Sequence, residues 1–169
     1  MPKGIKQQSA LIAISTSITE SGANTFSFET VDLQLSPLDN QIFVITKVDA
    51  DLQTPSLVVG TRASLDVTLS TVQRTNTGSL ADNNVVAVFR KMVEGAAGLT
   101  TSINSIDESP DQSAPGMDYL AIVFTSDLFL NIAGANNTAA LTANARIWGY
   151  VATATSSVYA AGVQQELLG

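Results

Sequence analysis

Apolar and polar residues alternate along much of this chain with a period of two. In Leu65-Asp66-Val67-Thr68-Leu69-Ser70 every second residue is aliphatic and the ones between are polar. Successive side chains of a strand point to opposite faces, so Leu65, Val67 and Leu69 are expected to face a core and Asp66, Thr68 and Ser70 to face away. Leu65→Ala or Leu69→Ala should then cost about 2–5 kcal/mol, and Asp66→Ala or Thr68→Ala far less. Phe26 and Phe28 alternate likewise with Ser27 and Glu29, while Val31, Leu33 and Leu35 continue with the opposite parity. That change predicts a β-bulge or bend near Thr30.

Runs of this kind predict about eight strands, over 9–19, 24–36, 41–49, 62–75, 84–93, 118–124, 127–133 and 139–155. Turn residues separate most of them. Ser21-Gly22-Ala23-Asn24 is expected to close a first hairpin, Ser36-Pro37-Leu38-Asp39-Asn40 parts the second strand from the third, and Gly134-Ala135-Asn136-Asn137 lies between the last two. Residues 50–60, with Asp51, Pro55 and Gly60, read as a long loop. Residues 95–117 form the largest irregular stretch, punctuated by Gly95, Gly98, Pro110, Pro115 and Gly116; loops of such length are usually functional or disordered. From Ser156 to Leu168, Val158, Tyr159, Val163, Leu167 and Leu168 fit one side of a short helix that Gly162 weakens. No internal repeat, low-complexity tract or linker divides the chain. The expectation is a single all-β domain over residues 1–169. Its architecture is an eight-stranded antiparallel β-sandwich, with the jelly roll as leading topology and a short C-terminal helix.

Composition adds that the surface is unusually neutral. Of the 169 residues 45% are apolar and only 14% charged, against ~25% in an ordinary globular domain. Thr, Ser, Ala, Asn and Gln replace the missing charge, which suits a surface covered by neighbouring molecules; secreted β-sandwiches share the trait. The net charge of −7, from 15 acidic and 8 basic residues, repels a phosphate backbone, and no basic stripe offsets it. Lys3 and Lys6 gather near the start; such an end either touches nucleic acid within a shell or is simply solvated. Strong nucleic-acid binding is not expected.

The first residues do not read as a signal peptide. The apolar run Ala10–Ile14 is too short for a signal core or a membrane span. The expectation is a protein made in the cytoplasm and soluble, with no transmembrane segment. Asn136-Asn137-Thr138 matches a glycosylation sequon and is read as chance.

The chain contains neither histidine nor cysteine. This excludes Ser-His-Asp and Cys-His sites, zinc sites of His and Cys, and a disulfide framework. No phosphate-binding loop, dinucleotide fingerprint or nucleophile elbow is present. Two sets of carboxylates remain: Asp49 with Asp51, and Asp107, Glu108 and Asp111 in the long loop. Paired carboxylates serve glycoside hydrolysis when held about 5–9.5 Å apart, and loop carboxylates bind calcium. Neither set matches an EF-hand. Solvated loop charge is the leading reading, calcium or an intersubunit contact comes second, and catalysis last. No enzyme, cofactor or metal is expected.

Arg146, Trp148 and Tyr150 alternate along the last strand and share one face, with Ile147, Gly149 and Val151 on the other. The aromatic pair either packs beneath a loop or the C-terminal helix, or forms an interface or ligand patch, since Arg, Trp and Tyr are the types enriched at binding hot spots.

The strand layout, the Ser/Thr/Ala-rich strands and the long loops between them resemble the single jelly-roll capsid proteins of small icosahedral viruses. The stretches that carry the resemblance are Leu57-Val58-Val59-Gly60-Thr61-Arg62-Ala63-Ser64-Leu65, leading into a strand, and Ala145-Arg146-Ile147-Trp148-Gly149-Tyr150-Val151. It implies a homo-oligomer of many copies joined through loops and termini, with other virion proteins as further partners and the virion as location. Many such proteins carry a long basic N-terminal arm, for which only Lys3 and Lys6 stand here. That departure suits a shell that does not itself condense the genome, as in a particle with an internal membrane. Interface candidates are therefore Arg146, Trp148, Tyr150, Lys3, Lys6, Asp107, Glu108 and Asp111. The competing readings are a carbohydrate- or protein-binding β-sandwich module, and a decoration or spike protein attached to another chain's shell.

Overall fold

The computed structural model describes residues 3–95, 103–108 and 118–168, the stretch 103–108 by its backbone alone. The described strands are β1 (Ile5–Gln7), β2 (Ile12–Thr19), β3 (Ser27–Asp32), β4 (Gln41–Leu52), β5 (Arg62–Ser70), β6 (Val85–Gly95), β7 (Ile103–Glu108), β8 (Ala121–Val123), β9 (Asp127–Ala135) and β10 (Thr142–Ala154). A 3-10 turn, η1 (Pro37–Asp39), precedes β4, and a helix, α1 (Ser156–Leu168), follows β10.

The strands form two antiparallel sheets. In sheet A, β1 and β2 pair end to end along one side of β10, whose other side pairs with β4, and β4 with β8. Sheet B runs β3-β9-β5-β6-β7. Setting β1 and β7 aside, the eight remaining strands taken in chain order read first-eighth-third-sixth in one sheet and second-seventh-fourth-fifth in the other. That interleaving is the jelly roll. The short C-terminal helix α1 is also present.

The core lies between the sheets. Leu65, Val67 and Leu69 of β5 point into it, with Leu128, Leu130 and Ile132 of β9 beside them, and Phe43, Ile45, Val48 and Ile147 of sheet A opposite. Each such side chain removed from water contributes about 1.5–3 kcal/mol. β10 keeps its parity while β4 does not. Trp148 pairs with Lys47 and Gly149 with Ile45, so Thr46 is the extra residue of a bulge and donates its hydroxyl to the Trp148 carbonyl at 3.1 Å. Gly149 permits this approach: a Cβ there would stand 2.6 Å from the Phe43 ring.

Five expectations are corrected. The turn at 21–24 closes no hairpin, because β2 pairs with β10 and β3 with β9. The chain crosses between sheets there, held by buried Glu20, whose carboxylate accepts the Gly134 and Leu141 amides at 2.6 and 2.9 Å. No bulge occurs at Thr30, since β3 and β9 stay in register from Ser27 to Asp32. The parity change reflects one regular strand with apolar residues on both faces: Val31 points inward, and Phe28 stands outside, edge-on to Phe129 at 6.3 Å. Within 95–117, residues 103–108 form β7, paired in register with β6. The supposed outer residues Thr68 and Ser70 are buried. The 71–84 connection lies over them, and the Thr68 hydroxyl donates to the Thr77 carbonyl, so Thr68→Ala is no longer expected to be mild. Finally, Gly162 is the buried contact of α1, while Leu167 and Leu168 are exposed.

Candidate functional site

β10 runs through the middle of sheet A, so its outward residues Asn144, Arg146, Trp148, Tyr150, Ala152 and Ala154 form the central row of the outer face. Two environments divide that row. At the far end α1 folds back over the sheet. Tyr150, Ala152 and Ala154 cluster there with Ile42 and Val44 of β4, and Val158 and Tyr159 of α1 pack on top. Tyr159 meets Phe124 edge-on at 6.4 Å, and a side chain at Gly162 would overlap the Phe124 ring. Glu166, one turn further along α1, accepts the Phe124 and Thr125 amides at 2.9 and 3.0 Å. Burial raises the Glu166 carboxyl above its ordinary value, with these hydrogen bonds opposing the shift. Burial, and then the charge of Asp118, likewise raises the Tyr150 hydroxyl.

At the other end nothing among the described residues lies over the sheet. Here β2 sets Ser15 opposite Arg146 and Ser17 opposite Asn144, while β4 sets Asp49 and Asp51 opposite the same two residues. Together these six line an open groove of about 570 Å³. The Arg146 guanidinium lies over the Trp148 ring, its Cζ 5.9 Å from the centroid, and donates through Nε to the Ser15 hydroxyl at 3.3 Å. The Trp148 indole N–H donates to Asp49 at 3.0 Å, and Lys47 pairs with the other carboxylate oxygen at 2.8 Å. The Lys47 hydrogen bond is the largest influence holding the Asp49 carboxyl below its ordinary value; slight burial opposes it, and the Trp148 N–H and the charges of Lys47 and Arg146 reinforce it.

Arg146 is distinct among the arginines. Arg62, Arg74 and Arg90 pair with Glu94, Asp82 and Asp66. Among the described residues Arg146 has no carboxylate within salt-bridge distance, although Asp49 lies across the strand pair. Its planar fork is held from behind by a ring and a hydroxyl, the arrangement that suits bidentate capture of a carboxylate.

The remaining sequence candidates lie elsewhere. Lys6 is exposed on β1 opposite Thr153, and Lys3 is exposed just ahead of it, at the helix-covered end of β10. The backbones of Asp107 and Glu108 stand on β7, the edge of sheet B, in register with Lys91 and Arg90. Asp111 lies outside the described residues. The structure thus brings Arg146 and Trp148 together, places Tyr150 on the same face but beneath α1, and separates the Arg146–Trp148 pair from Lys3, Lys6 and the backbones of Asp107 and Glu108. Sequence reasoning missed Lys47 and Ser15, which the topology delivers from strands distant in the chain. The only local sign was the alternation of Lys47 with Asp49.

The described residues contain no group of three or more His, Cys, Asp or Glu that could hold a metal ion, and no described helix is long and apolar enough to cross a membrane. No protein-family model matches the chain, and no curated protein matches it. Among solved structures it is similar to that of desmodium yellow mottle tymovirus, with 11% identity and a TM-score of 0.32 over 93% of this chain and 96% of that one. It is similar also to cocksfoot mottle virus, with 8% identity and a TM-score of 0.36 over 89% and 96%. A third structure, tailspike protein gp49 of Acinetobacter baumannii bacteriophage Fri1, a capsular polysaccharide depolymerase, shares 15% identity at a TM-score of 0.15 over 77% of this chain and 20% of that one.

Proposed function

We propose that the chain is a structural subunit of a viral capsid, associating with many copies of itself into a closed shell. The observation that carries this reading is the open half of sheet A. It is an open face of hydroxyls, one amide and several charges around a stacked Arg–Trp pair, and Arg and Trp are enriched at interface hot spots. The low charge of the chain as a whole, 14% of residues, suits a surface covered by neighbouring copies. The absence of His and Cys removes the usual catalytic and metal-binding side chains. The virion location and icosahedral symmetry enter by fold analogy, jelly rolls recurring in viral shells as well as in lectins.

A carbohydrate-binding module would use the same face. The Trp148 N–H is already engaged by Asp49 and its ring already carries Arg146, so the self-association reading takes precedence. A decoration or spike protein would share the face but require another chain's shell. Light scattering with negative-stain microscopy on the purified protein, across concentration and salt, separates these readings. Closed particles of uniform size support the capsid subunit. A monodisperse monomer at high concentration contradicts it, and a glycan screen would follow.

A further inference from the structure

We infer that the Arg146–Trp148 site receives η1 of a second copy, with the Asp39 carboxylate on the Arg146 fork and Leu38 seated in the groove beside it. The inference rests on the self-association reading and names its contact.

Leu38 is 96% exposed, the barest large apolar side chain among the described residues, and it adjoins a carboxylate with no partner among them. The turn that carries both is rigid before any contact. Pro37 opens it, Asn40 closes it in the left-handed conformation, and the Asn40 amide donates to the Pro37 carbonyl at 3.1 Å. Gln41 braces it from β4: its side-chain carbonyl accepts the Ser36 amide at 2.9 Å, and its own amide donates to the Ser36 carbonyl at 3.1 Å. A preorganised knob loses little conformational freedom on docking.

At the receiving site Lys47 already neutralises Asp49, which leaves the Arg146 fork to meet an incoming carboxylate, with Asp51 the remaining acid of the groove. Among the described residues Arg146 is the arginine with no carboxylate at salt-bridge distance, although the charge of nearby Asp49 acts on it, and the chain's acids outnumber its bases 15 to 8. The fork is prealigned by Trp148 and Ser15, and the groove beside it is open. Glu29 is also exposed, but its apolar neighbour Phe28 lies against Phe129 on the sheet, whereas Leu38 is bare.

Within one molecule the two parts do not meet. Asp39 sits just before β4, and Asp49 marks the groove on the same strand. From Gln41 to Asp49 a strand rises about 3.3 Å per residue, on the order of 25 Å in all. Only another copy supplies the turn. Knob and groove are different patches, so the contact is heterologous, the type that propagates head to tail and closes into rings when the rotation permits.

Sedimentation velocity on four full-length proteins tests the contact: the parent chain, Asp39→Asn, Arg146→Gln and the double variant. Arg146→Lys and Leu38→Ser serve as companions. Far-UV circular dichroism, and melting at concentrations where the parent is monomeric, are expected to be unchanged, because both charged residues are exposed. Each single charge variant is expected to weaken association at least about thirty-fold, as for a desolvated charge pair losing one partner. The double variant is expected to be no weaker than the worse single, the mark of a direct pair. Arg146→Lys, which keeps charge but loses the fork, is expected to fall between, and Leu38→Ser to weaken association with the charges intact. Additive losses in the double variant, or single variants that associate like the parent, overturn the contact while leaving self-association standing. A parent chain that stays monomeric overturns both.

Discussion

The two halves of the outer row of β10 differ in fate although the sequence writes them alike. Arg146, Trp148 and Tyr150 follow one another at the same parity, on the same face of the same strand. Tyr150 is only 8% exposed beneath α1, while Arg146 stands in an open groove. Strand periodicity decides which face a residue takes; what is later laid over that face decides its burial. In the covered half an apolar cluster and the hydrogen bonds that Glu166 accepts hold the helix down. In the open half a polar lattice fixes the same kinds of side chain but leaves them available.

The covered half should be the energetically sensitive one. Tyr150→Ala removes a buried aromatic side chain between β10 and α1 and is expected to cost about 3 kcal/mol, read by chemical denaturation. Gly162→Ala drives a methyl group into the Phe124 ring and is expected to cost about 1–3 kcal/mol, with the loss focused in the helical signal. If both variants melt like the parent, α1 is not the cover described.

The outer face of sheet B offers a parallel. Thr68, written as an exposed residue by its alternation, donates to the Thr77 carbonyl beneath the 71–84 connection. Thr68→Ala is expected to cost about 1–3 kcal/mol, since it removes a fully buried hydroxyl and the donor to the part-buried Thr77 carbonyl, whereas half-exposed Asp66 should tolerate truncation to Ala better. Equal losses at the two positions would remove the distinction between covered and open outer faces.

Most of the fold was readable from alternation and turn residues. All eight predicted runs contain strands, the helix spans the expected residues, and the core face of β5 is the expected one. What was not readable depended on partners distant in the chain. Nothing local distinguishes a hairpin at 21–24 from a crossing between sheets, because the decision belongs to β9 and β10, which take the pairing edges. β7 shows no clear alternation, and its pairing comes from β6. In the candidate site, the common face of Arg146 and Trp148 follows from parity alone. The roles of Asp49, Lys47 and Ser15 do not, because they require knowing that β4 and β2 flank β10.

Acidity separates the halves by sign. Glu166 has a folded-state pKa raised above 4.5, so the folded protein binds that proton more tightly than the unfolded chain. Its contribution to stability is greatest below 4.5 and is lost as pH rises through the folded value. Glu166→Gln, which keeps an acceptor without the charge, is expected to raise the melting temperature at neutral pH and flatten that pH dependence. A lower melting temperature at neutral pH would show that the charged carboxylate is what holds α1. Asp49 has the opposite sign: its lowered pKa gives stability above its ordinary value near 3.8 that is lost as pH falls through the folded value. The group is exposed, so the effect is small. Smallest of all, Arg146→Ala is expected to shift monomer stability by no more than about 0.5 kcal/mol.

The most direct test of the open face as an assembly surface uses Trp148, the single tryptophan of the chain. Acrylamide quenching of its fluorescence is measured as protein concentration rises, with light scattering recorded on the same samples. As scattering increases, quenching is predicted to fall and the emission to shift to the blue, because a neighbouring copy shields the indole. Multimers that form while Trp148 stays as quenchable as in the monomer would contradict the account.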